Sequence, residues 1–283
     1  MTAGYIHLRE DWPAFRWDAS ALAPLLADTR HAQGRLLGRM EGLEFRLRGE
    51  ADLAVMTAEV VKSSAIEGER LNDREVRSSL ARRLGIDIGG TAPVSRVVEG
   101  VVEMMLNATR EYEAPLSAER LFAWHAALFP TGRSGMRKIT VGAWRHSEAG
   151  PMQVVSGPLG REKVHYEAPE AGRLSHEMAT FLDWFNADPS TDPVIKAALA
   201  HFWFVTIHPF EDGNGRIARA IADMALARCD GTAQRFYSMS AQIEAERSAY
   251  YDVLEQSQKG DLDVTEWLTW FLACLGRSLD RAQ

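Results

Sequence analysis

Residues 193–224 read PVIKAALAHFWFVTIHPFEDGNGRIARAIADM, in which two strongly apolar runs flank a short glycine-rich connection. The first run begins with Pro193 directly after Asp192, an order that is preferred at the start of an α-helix. Pro209 disfavours helical geometry at the residue before it, so this helix is expected to end at His208. The apolar residues beyond the glycines predict a second helix. The stretch therefore encodes a helix, a loop and a helix.

Most other segments also show the apolar spacing that is typical of helices. The spacing is present in two sets, Leu36, Leu37, Met40, Leu43 and Leu47, and Val97, Val98, Val101, Val102, Met105 and Leu106. Glycine and proline cluster at residues 85–93, 130–172 and 209–215, which are the predicted connections. The sequence predicts an all-α protein.

One short β-hairpin is predicted inside the longest connection. Residues 152–156 and 163–167 are strand-like, and Gly157-Pro158-Leu159-Gly160 between them has the composition of a turn.

A boundary is predicted near residue 110. The sequence EYEAP at residues 111–115 interrupts the helical pattern before a Ser-x-x-Glu helix start at Ser117. We therefore expect an N-terminal helical region at residues 1–110 and a core with C-terminal helices at residues 111–283.

Composition excludes several classes of protein. The 32 Lys and Arg residues against 39 Asp and Glu residues give a net charge of −7, which does not favour nucleic-acid binding. Cys229 and Cys274 lack metal-site spacing and suit a reducing compartment. No secretory signal is present, and the densest apolar run, residues 267–275, predicts a buried helix rather than a span of about 20 residues. We expect a cytoplasmic protein that binds neither nucleic acid nor membrane.

The loop between the two central helices has the layout of an anion site. Unpaired backbone N–H groups and the positive end of the second helix favour phosphate, which Gly213 and Gly215 allow to approach closely. Arg216 and Arg219 share one face near the start of this helix, where positive side chains oppose the helix dipole. A bound anion would turn that repulsion into attraction.

Two further residues add chemistry to the loop. Asp212 is a candidate carboxylate ligand for a Mg²⁺ ion that keeps most of its waters and binds through substrate phosphates. His208 is expected to have a pKa near physiological pH, as suits a general base. The loop thus combines the parts of a nucleotide site, a metal site and a base.

The twelve residues from His208 to Arg219 match the Fic-family signature HPFxDGNGRxxR at every specified position. The chain therefore resembles Fic-type protein adenylyltransferases, and the resemblance implies a Fic-type helical core. It implies transfer of AMP from ATP to a Ser, Thr or Tyr hydroxyl of a target protein, with His208 as the base and pyrophosphate as the leaving group.

The resemblance also assigns roles within the loop. Asp212 would hold Mg²⁺, and Gly213, Asn214 and Gly215 would cradle the phosphates. Arg216 would contact the α- and β-phosphates, and Arg219 the γ-phosphate.

An upstream segment resembles the inhibitory motif [ST]xxxE[GN] of Fic proteins whose inhibitory helix precedes the core. It reads Ser63-Ser64-Ala65-Ile66-Glu67-Gly68. A helix ending at Gly68 places Glu67 at its C-terminal end, where a negative charge is disfavoured unless a cation is nearby. The resemblance implies that this cation is Arg219, which Glu67 would hold away from the γ-phosphate of ATP.

Other segments resemble the walls of the Fic nucleotide site. The predicted hairpin lies where these proteins carry a flap, with Gly142-Ala143-Trp144-Arg145 leading into it. Its residues Lys163, Val164, His165 and Tyr166 would face the nucleotide, with Val164 as the apolar contact. Tyr250, Tyr251 and Gln258 resemble the adenine-side helix, with Gln258 where an asparagine is often found.

Several alternatives remain open at this stage. The same site could remove AMP from a modified protein, with Glu67 positioning a water, or could transfer UMP. From a different class, the chain could be a nucleotide-sensing regulatory protein with vestigial catalysis. A homodimer is plausible from family habit.

Overall fold

The computed structural model describes residues 4–90, 92–146, 150–157, 161–187 and 190–283. The helices are α1 (Ala19–Glu41), α2 (Phe45–Ile66), α3 (Asp73–Leu84), α4 (Arg96–Arg110), α5 (Ala118–Leu128), α6 (Leu174–Asn186), α7 (Pro193–Ile207), α8 (Asn214–Asp230), α9 (Met239–Ala245), α10 (Arg247–Gln258) and α11 (Thr265–Arg281). The strands are β1 (Arg133–Ser134), β2 (Arg137–Lys138), β3 (Gln153–Ser156) and β4 (Lys163–Glu167). The predicted all-α class is confirmed.

Helices α7 and α8 form the centre of the fold. The Asp192 carboxylate accepts a 2.8 Å hydrogen bond from the Val194 N–H group and so fixes the start of α7, as the sequence predicted. Almost every residue of α7 is buried, which is typical of a helix that is covered on all sides. Helix α8 packs along it, so the connection between them is held between two buried helices.

Helices from both sides of residue 110 contribute to one hydrophobic core. Helix α1 packs on α11, α2 packs on α9, and α4 packs on α8. This arrangement carries the end of α2 to the start of α8. The predicted boundary near residue 110, between an N-terminal region and a core, stays a prediction.

The apolar spacing at residues 36–47 spans two helices rather than one. Helix α1 ends at Glu41, and α2 begins at Phe45. Leu43 and Leu47 are 36% and 49% exposed, so the periodicity there does not mark a buried face. Gly42 lies at the break, where its low helix propensity favours termination.

The predicted hairpin is present as the antiparallel pair β3 and β4, while the predicted turn residues 158–160 lie outside the described residues. Val154 is opposite Tyr166 and Val155 is opposite Val164, which leaves His165 without a cross-strand partner. Such a bulge turns a side chain away from the regular alternation of a strand. A second small hairpin, β1 with β2, was not expected from the sequence.

None of the helices in the described ranges is long and apolar enough to cross a bilayer. The cytoplasmic location stays a prediction.

The contact between α4 and α5 depends on Gly100. A Cβ atom at this position would lie 1.8 Å from the carbonyl oxygen of Ala127, so only glycine allows this approach.

We expect Gly100→Ala to lower the free energy of unfolding by about 1–3 kcal/mol through overpacking. Gly34→Ala, in α1 with open space around it, is the control and should raise stability by about 0.5–1 kcal/mol. Equal denaturation midpoints for Gly100→Ala and wild type would contradict the packing.

Candidate nucleotide-binding site

His208 ends α7 in a left-handed conformation, with φ of 52°. It is the only non-glycine residue in the described ranges with a positive φ, and such backbone conformations concentrate at functional sites. The buried Arg145 guanidinium donates to the His208 carbonyl at 2.8 Å, and the Arg145 N–H group donates to the Pro209 carbonyl at 2.9 Å. Arg145 therefore holds the turn in place. The sequence placed Arg145 near the flap without assigning it this contact.

The imidazole of His208 is held in one tautomer. Its Nδ1 atom lies 3.2 Å from the Val205 carbonyl oxygen, which can only accept a hydrogen bond, so Nδ1 carries the proton. The lone pair is then on Nε2. Burial, together with the positive charge of Arg145, lowers the pKa of His208 to about 4, against the opposing effects of Val205, Glu67 and Asp212. The expectation of a pKa near physiological pH is wrong, and the ring is neutral there.

The loop after His208 is closed by the side chain of Asn214. Its Oδ1 atom accepts from the Phe210 N–H group at 2.9 Å, and its Nδ2 atom donates to the Phe210 carbonyl at 2.8 Å. The Phe210 ring stacks on buried His125 with 4.2 Å between centroids. Asn214 thus shapes the predicted cradle from within, since its side chain is only 2% exposed.

The start of α8 presents unpaired backbone donors. Gly213 precedes it with φ of 81°, and a Cβ atom there would lie 2.9 Å from the Phe129 ring. Within the part of the chain that the structure describes, the N–H groups of residues 214–216 donate to no acceptor. Three free donors at the positive end of a helix form an anion site.

Arg219 is a buried cation of α8 with several partners. Its side chain is 2% exposed, and its Nε and Nη2 atoms donate to the Ser63 hydroxyl and carbonyl at 2.9 and 2.8 Å. Nη2 also lies 2.8 Å from Oε1 of Glu67. The Nη1 atom is buried without a hydrogen-bond partner among the described residues. A buried donor left in this state is costly, and an anion would satisfy it.

The end of α2 aims Glu67 at this arginine. Gly68 has φ of 84°, its N–H group donates to Ala65, and the next N–H group, of Glu69, donates to Ser64. This pair of hydrogen bonds is the Schellman arrangement, which requires a left-handed residue and so favours glycine. Helix α2 ends at Ile66, two residues before the predicted end, and Gly68 is the left-handed residue that follows the C-cap. Glu67 lies at the C-cap, with its carboxylate turned to α8.

A second carboxylate from the same turn contacts the other arginine. Oε2 of Glu69 lies 2.6 Å from Nη1 of Arg216, whose side chain is 2% exposed and packs on Phe129. The sequence analysis missed this pair. The available indication was the Glu-Gly-Glu sequence at the helix end, which offers two carboxylates to two arginines.

Gly215 leaves room for the turn at the end of α2. A Cβ atom at this position would lie 2.1 Å from Oε1 of Glu67 and 3.2 Å from Nη1 of Arg219. The Glu67 carboxylate therefore occupies the space directly above the start of α8. This is the space in which the free N–H groups would receive a phosphate.

Asp212 fits a loosely held Mg²⁺ ion. Its carboxylate is 40% exposed, accepts from the Ser134 hydroxyl and the Gly213 N–H group, and lies 4.0 Å from Arg216. The described residues contain no cluster of three or more side chains that would cage a metal. One partly exposed carboxylate suits an ion that takes its other ligands from water and phosphate.

A cavity of about 720 Å³ adjoins the start of α8 at Gly215, while Asp212, Arg216 and Arg219 are not among its lining residues. His208 and Gly215 lie at its base with Glu67, and Tyr250, Tyr251 and Gln258 form the wall on α10. Of the four flap residues singled out in the sequence, His165 and Tyr166 line the cavity, whereas Lys163 and Val164 do not.

The polar ends of three cavity residues point into the protein. The Tyr166 hydroxyl donates to the Thr206 carbonyl at 2.9 Å, and the Tyr250 hydroxyl lies 2.9 Å from Nε2 of His201. Gln258 donates to the Thr206 hydroxyl at 3.2 Å. These side chains therefore present mainly apolar surface to the cavity, which suits a stacked base more than a hydrogen-bonded one.

Comparison with known proteins places this site in a family. Residues 115–226 match the family described as "Fic/DOC family", and residues 5–86 match a family described as "Domain of unknown function (DUF4172)". "Protein adenylyltransferase Fic" of Culex quinquefasciatus is 36% identical over 132 residues, which are 45% of this chain and 25% of that protein. The Drosophila grimshawi protein of the same name is 26% identical over 225 residues, 78% of this chain and 41% of that protein. The chain thus spans well under half the length of these relatives.

Two solved structures share the fold. A Fic family protein from Desulfovibrio desulfuricans superposes with a TM-score of 0.67 at 22% identity, covering 94% of this chain and 75% of that chain. A Fic domain containing signaling protein from Bacteroides thetaiotaomicron superposes with a TM-score of 0.66 at 20% identity, covering 90% of this chain and 96% of that chain. The helical architecture, the matched segment and the signature agree, and residues 115–226 of this chain form a domain of the Fic/DOC family.

Proposed function

We propose that this chain transfers AMP from ATP to a Ser, Thr or Tyr hydroxyl of a target protein. The observation that carries the proposal is the unpaired Nη1 atom of buried Arg219, which lies beside three free N–H groups at the start of α8. These donors form a site for a polyphosphate, and neutral His208 lines the same cavity as Gly215 at the start of α8. Relatives that match the segment are named protein adenylyltransferases.

In this mechanism, Nε2 of His208 accepts the proton of the target hydroxyl. The oxygen then forms a bond to the α-phosphorus, and the bond from that phosphorus to pyrophosphate breaks. Arg216 and Arg219 hold the phosphates, while Arg145 keeps the His208 turn in place. Asp212 would hold a Mg²⁺ ion, which supplies charge neutralisation to the phosphates when it is bound.

We further propose that the enzyme is held in an inhibited state. Glu67 lies in the space above Gly215 and occupies one Arg219 nitrogen, so a terminal phosphate there must displace the carboxylate. Glu69 occupies Arg216 in the same way. A nucleotide that binds while both ion pairs are intact would lack some of the hydrogen bonds from Arg216 and Arg219 to its phosphates. In-line transfer depends on those hydrogen bonds, because they orient the phosphates.

Removal of AMP from a modified protein is the second candidate. The carboxylate of Glu67 lines the same cavity as His208, so it could orient a water for attack on the α-phosphorus. Transfer of UMP and a purely regulatory role with vestigial catalysis have no comparable support.

The function is tested by adenylyl mass shifts in a lysate incubated with ATP and Mg²⁺. Glu67→Gly should modify proteins faster than wild type, because Arg219 is freed for the terminal phosphate. Glu67→Gly combined with Arg219→Ala should lose that gain, and this non-additivity separates a direct pair from a loosened helix. Addition of EDTA to remove Mg²⁺ is the metal control.

A gain that survives without Arg219 would refute the inhibitory role of Glu67. Faster AMP removal by wild type than by Glu67→Gly would favour the reverse reaction.

The protonation state of His208 can be measured in the free protein by NMR. Because burial and Arg145 lower its pKa to about 4, the ring signals should keep their neutral positions from about pH 8 down to about pH 5. The base is then competent over this range. The signals of His208 are identified by their absence from the spectrum of His208→Ala. Because this variant lacks the general base, its rate of AMP transfer should fall by about 10²–10⁴-fold. A titration midpoint near 6.5 would contradict the burial of the ring.

Glu69 should affect binding of ATP more than the chemical step. Glu69→Gln removes the charge that competes for Arg216, so we expect ATP to bind about 3–10-fold more tightly in a calorimetric titration. Glu113→Gln, an exposed glutamate far from the loop in sequence, controls for the loss of one negative charge. Equal dissociation constants for Glu69→Gln and Glu113→Gln would show that Glu69 does not compete with the nucleotide.

A further inference from the structure

Three side chains on the flap side of the cavity form a relay that the proposed mechanism does not use. The Ser156 hydroxyl lies 2.5 Å from Nε2 of His165, and Nδ1 of the same ring lies 2.5 Å from Oε2 of Glu255. The three residues come from β3, β4 and α10. A hydroxyl, an imidazole and a carboxylate in this order form the arrangement that activates serine nucleophiles.

The local structure orients the histidine. His165 is the residue that the bulge leaves without a cross-strand partner, so its ring is free of the regular alternation of β4. Glu255 is itself held by Lys259 at 2.5 Å and by Lys163 at 3.7 Å. Partial burial raises the pKa of Glu255, but the hydrogen bonds from Lys259 and His165 outweigh this effect and lower the pKa to about 2.

These contacts fix the direction of the relay. An ionised carboxylate can only accept, so His165 donates from Nδ1 to Glu255. In the neutral ring the lone pair is then on Nε2, which accepts from the Ser156 hydroxyl. Ser156 is thus a hydroxyl with a general base already in place.

The relay opens into the nucleotide cavity. Ser156, His165 and Glu255 line the same 720 Å³ space as His208, and Ser156 is exposed. Ser248 also lines this space and is exposed, but it makes no hydrogen bond to another described side chain. The cavity therefore contains one serine, Ser156, with a base beside it and a second serine, Ser248, without one.

We propose that Ser156 is a self-modification site whose hydroxyl accepts an adenylyl group from ATP bound in this cavity. This inference rests on the proposed transferase function. The Ser156 oxygen forms a bond to the α-phosphorus, the bond to pyrophosphate breaks, and the hydroxyl proton moves to Nε2 of His165. Glu255 stabilises the resulting imidazolium. The products are a phosphodiester on Ser156 and free pyrophosphate.

The test uses the full chain carrying Glu67→Gly, incubated with ATP and Mg²⁺ and mapped by peptide mass spectrometry. The peptide containing Ser156 should gain an adenylyl group, and the peptide containing Ser248 should not. Ser156→Ala should abolish that modification while proteins of an added lysate are still labelled. Ser248→Ala should leave the labelling of Ser156 unchanged. Glu255→Gln should slow labelling of Ser156 by about 10–100-fold, since it weakens the base.

The outcomes separate this inference from the function on which it rests. Labelling of lysate proteins without labelling of Ser156 would overturn the self-modification site and leave the transferase intact. Labelling of Ser156 at an unchanged rate in Glu255→Gln would overturn the relay. Absence of any labelling and of pyrophosphate release would refute the transferase function itself.

Discussion

The burial of the Arg219 guanidinium is the constraint on which the site depends. A cation removed from water must be compensated by hydrogen bonds and opposite charge, or the folded state is penalised by several kcal/mol. Here the hydroxyl and carbonyl of Ser63 and the carboxylate of Glu67 supply most of that compensation. Arg219 thus helps to hold the end of α2 against α8, and its Nη1 atom remains available to a ligand.

Two helix ends of opposite polarity meet at this arginine. The C-terminal turn of α2 carries partial negative charge and two carboxylates, while the start of α8 carries free N–H groups and two arginines. In the absence of an anion, Glu67 and Glu69 neutralise Arg219 and Arg216. The same complementarity that stabilises the apo protein opposes phosphate binding, because both need the same donors. The contacts that hold the end of α2 on α8 are therefore the ones that a phosphate would have to replace.

The sequence predicted those features that depend on local residue order. The start of α7 at Asp192 and its end at His208 follow from capping and proline geometry, and the end of α2 follows from Gly68. Features formed by segments distant in sequence were not predictable from residue order, and the pairing of Glu67 with Arg219 was expected only from the resemblance to Fic proteins. The pairing of Glu69 with Arg216 joins residues 147 positions apart, and Arg145 reaches His208 across 63.

The lowered pKa of His208 was missed for the same reason. Residue order shows that a histidine ends a helix, but burial and the proximity of Arg145 are properties of the folded chain. The register of β3 and β4 is another such property. A strand-like pattern predicts alternation, whereas the bulge that turns His165 from the ladder becomes visible only in the paired strands.

The cavity brings together the carboxylate of Glu67, the imidazole of His208 and the pair formed by Ser156 and His165. Because His208 has lost its charge through burial, it accepts a proton without first releasing one, and it needs no change of pH to act. The His165 ring is oriented by the carboxylate of Glu255, which accepts a hydrogen bond from its Nδ1 atom. Two bases near one phosphate site need two different acceptors. In the proposed mechanism His208 takes the proton of an external hydroxyl, whereas His165 contacts a hydroxyl of the chain itself, so the two proposed acceptors react at one cavity.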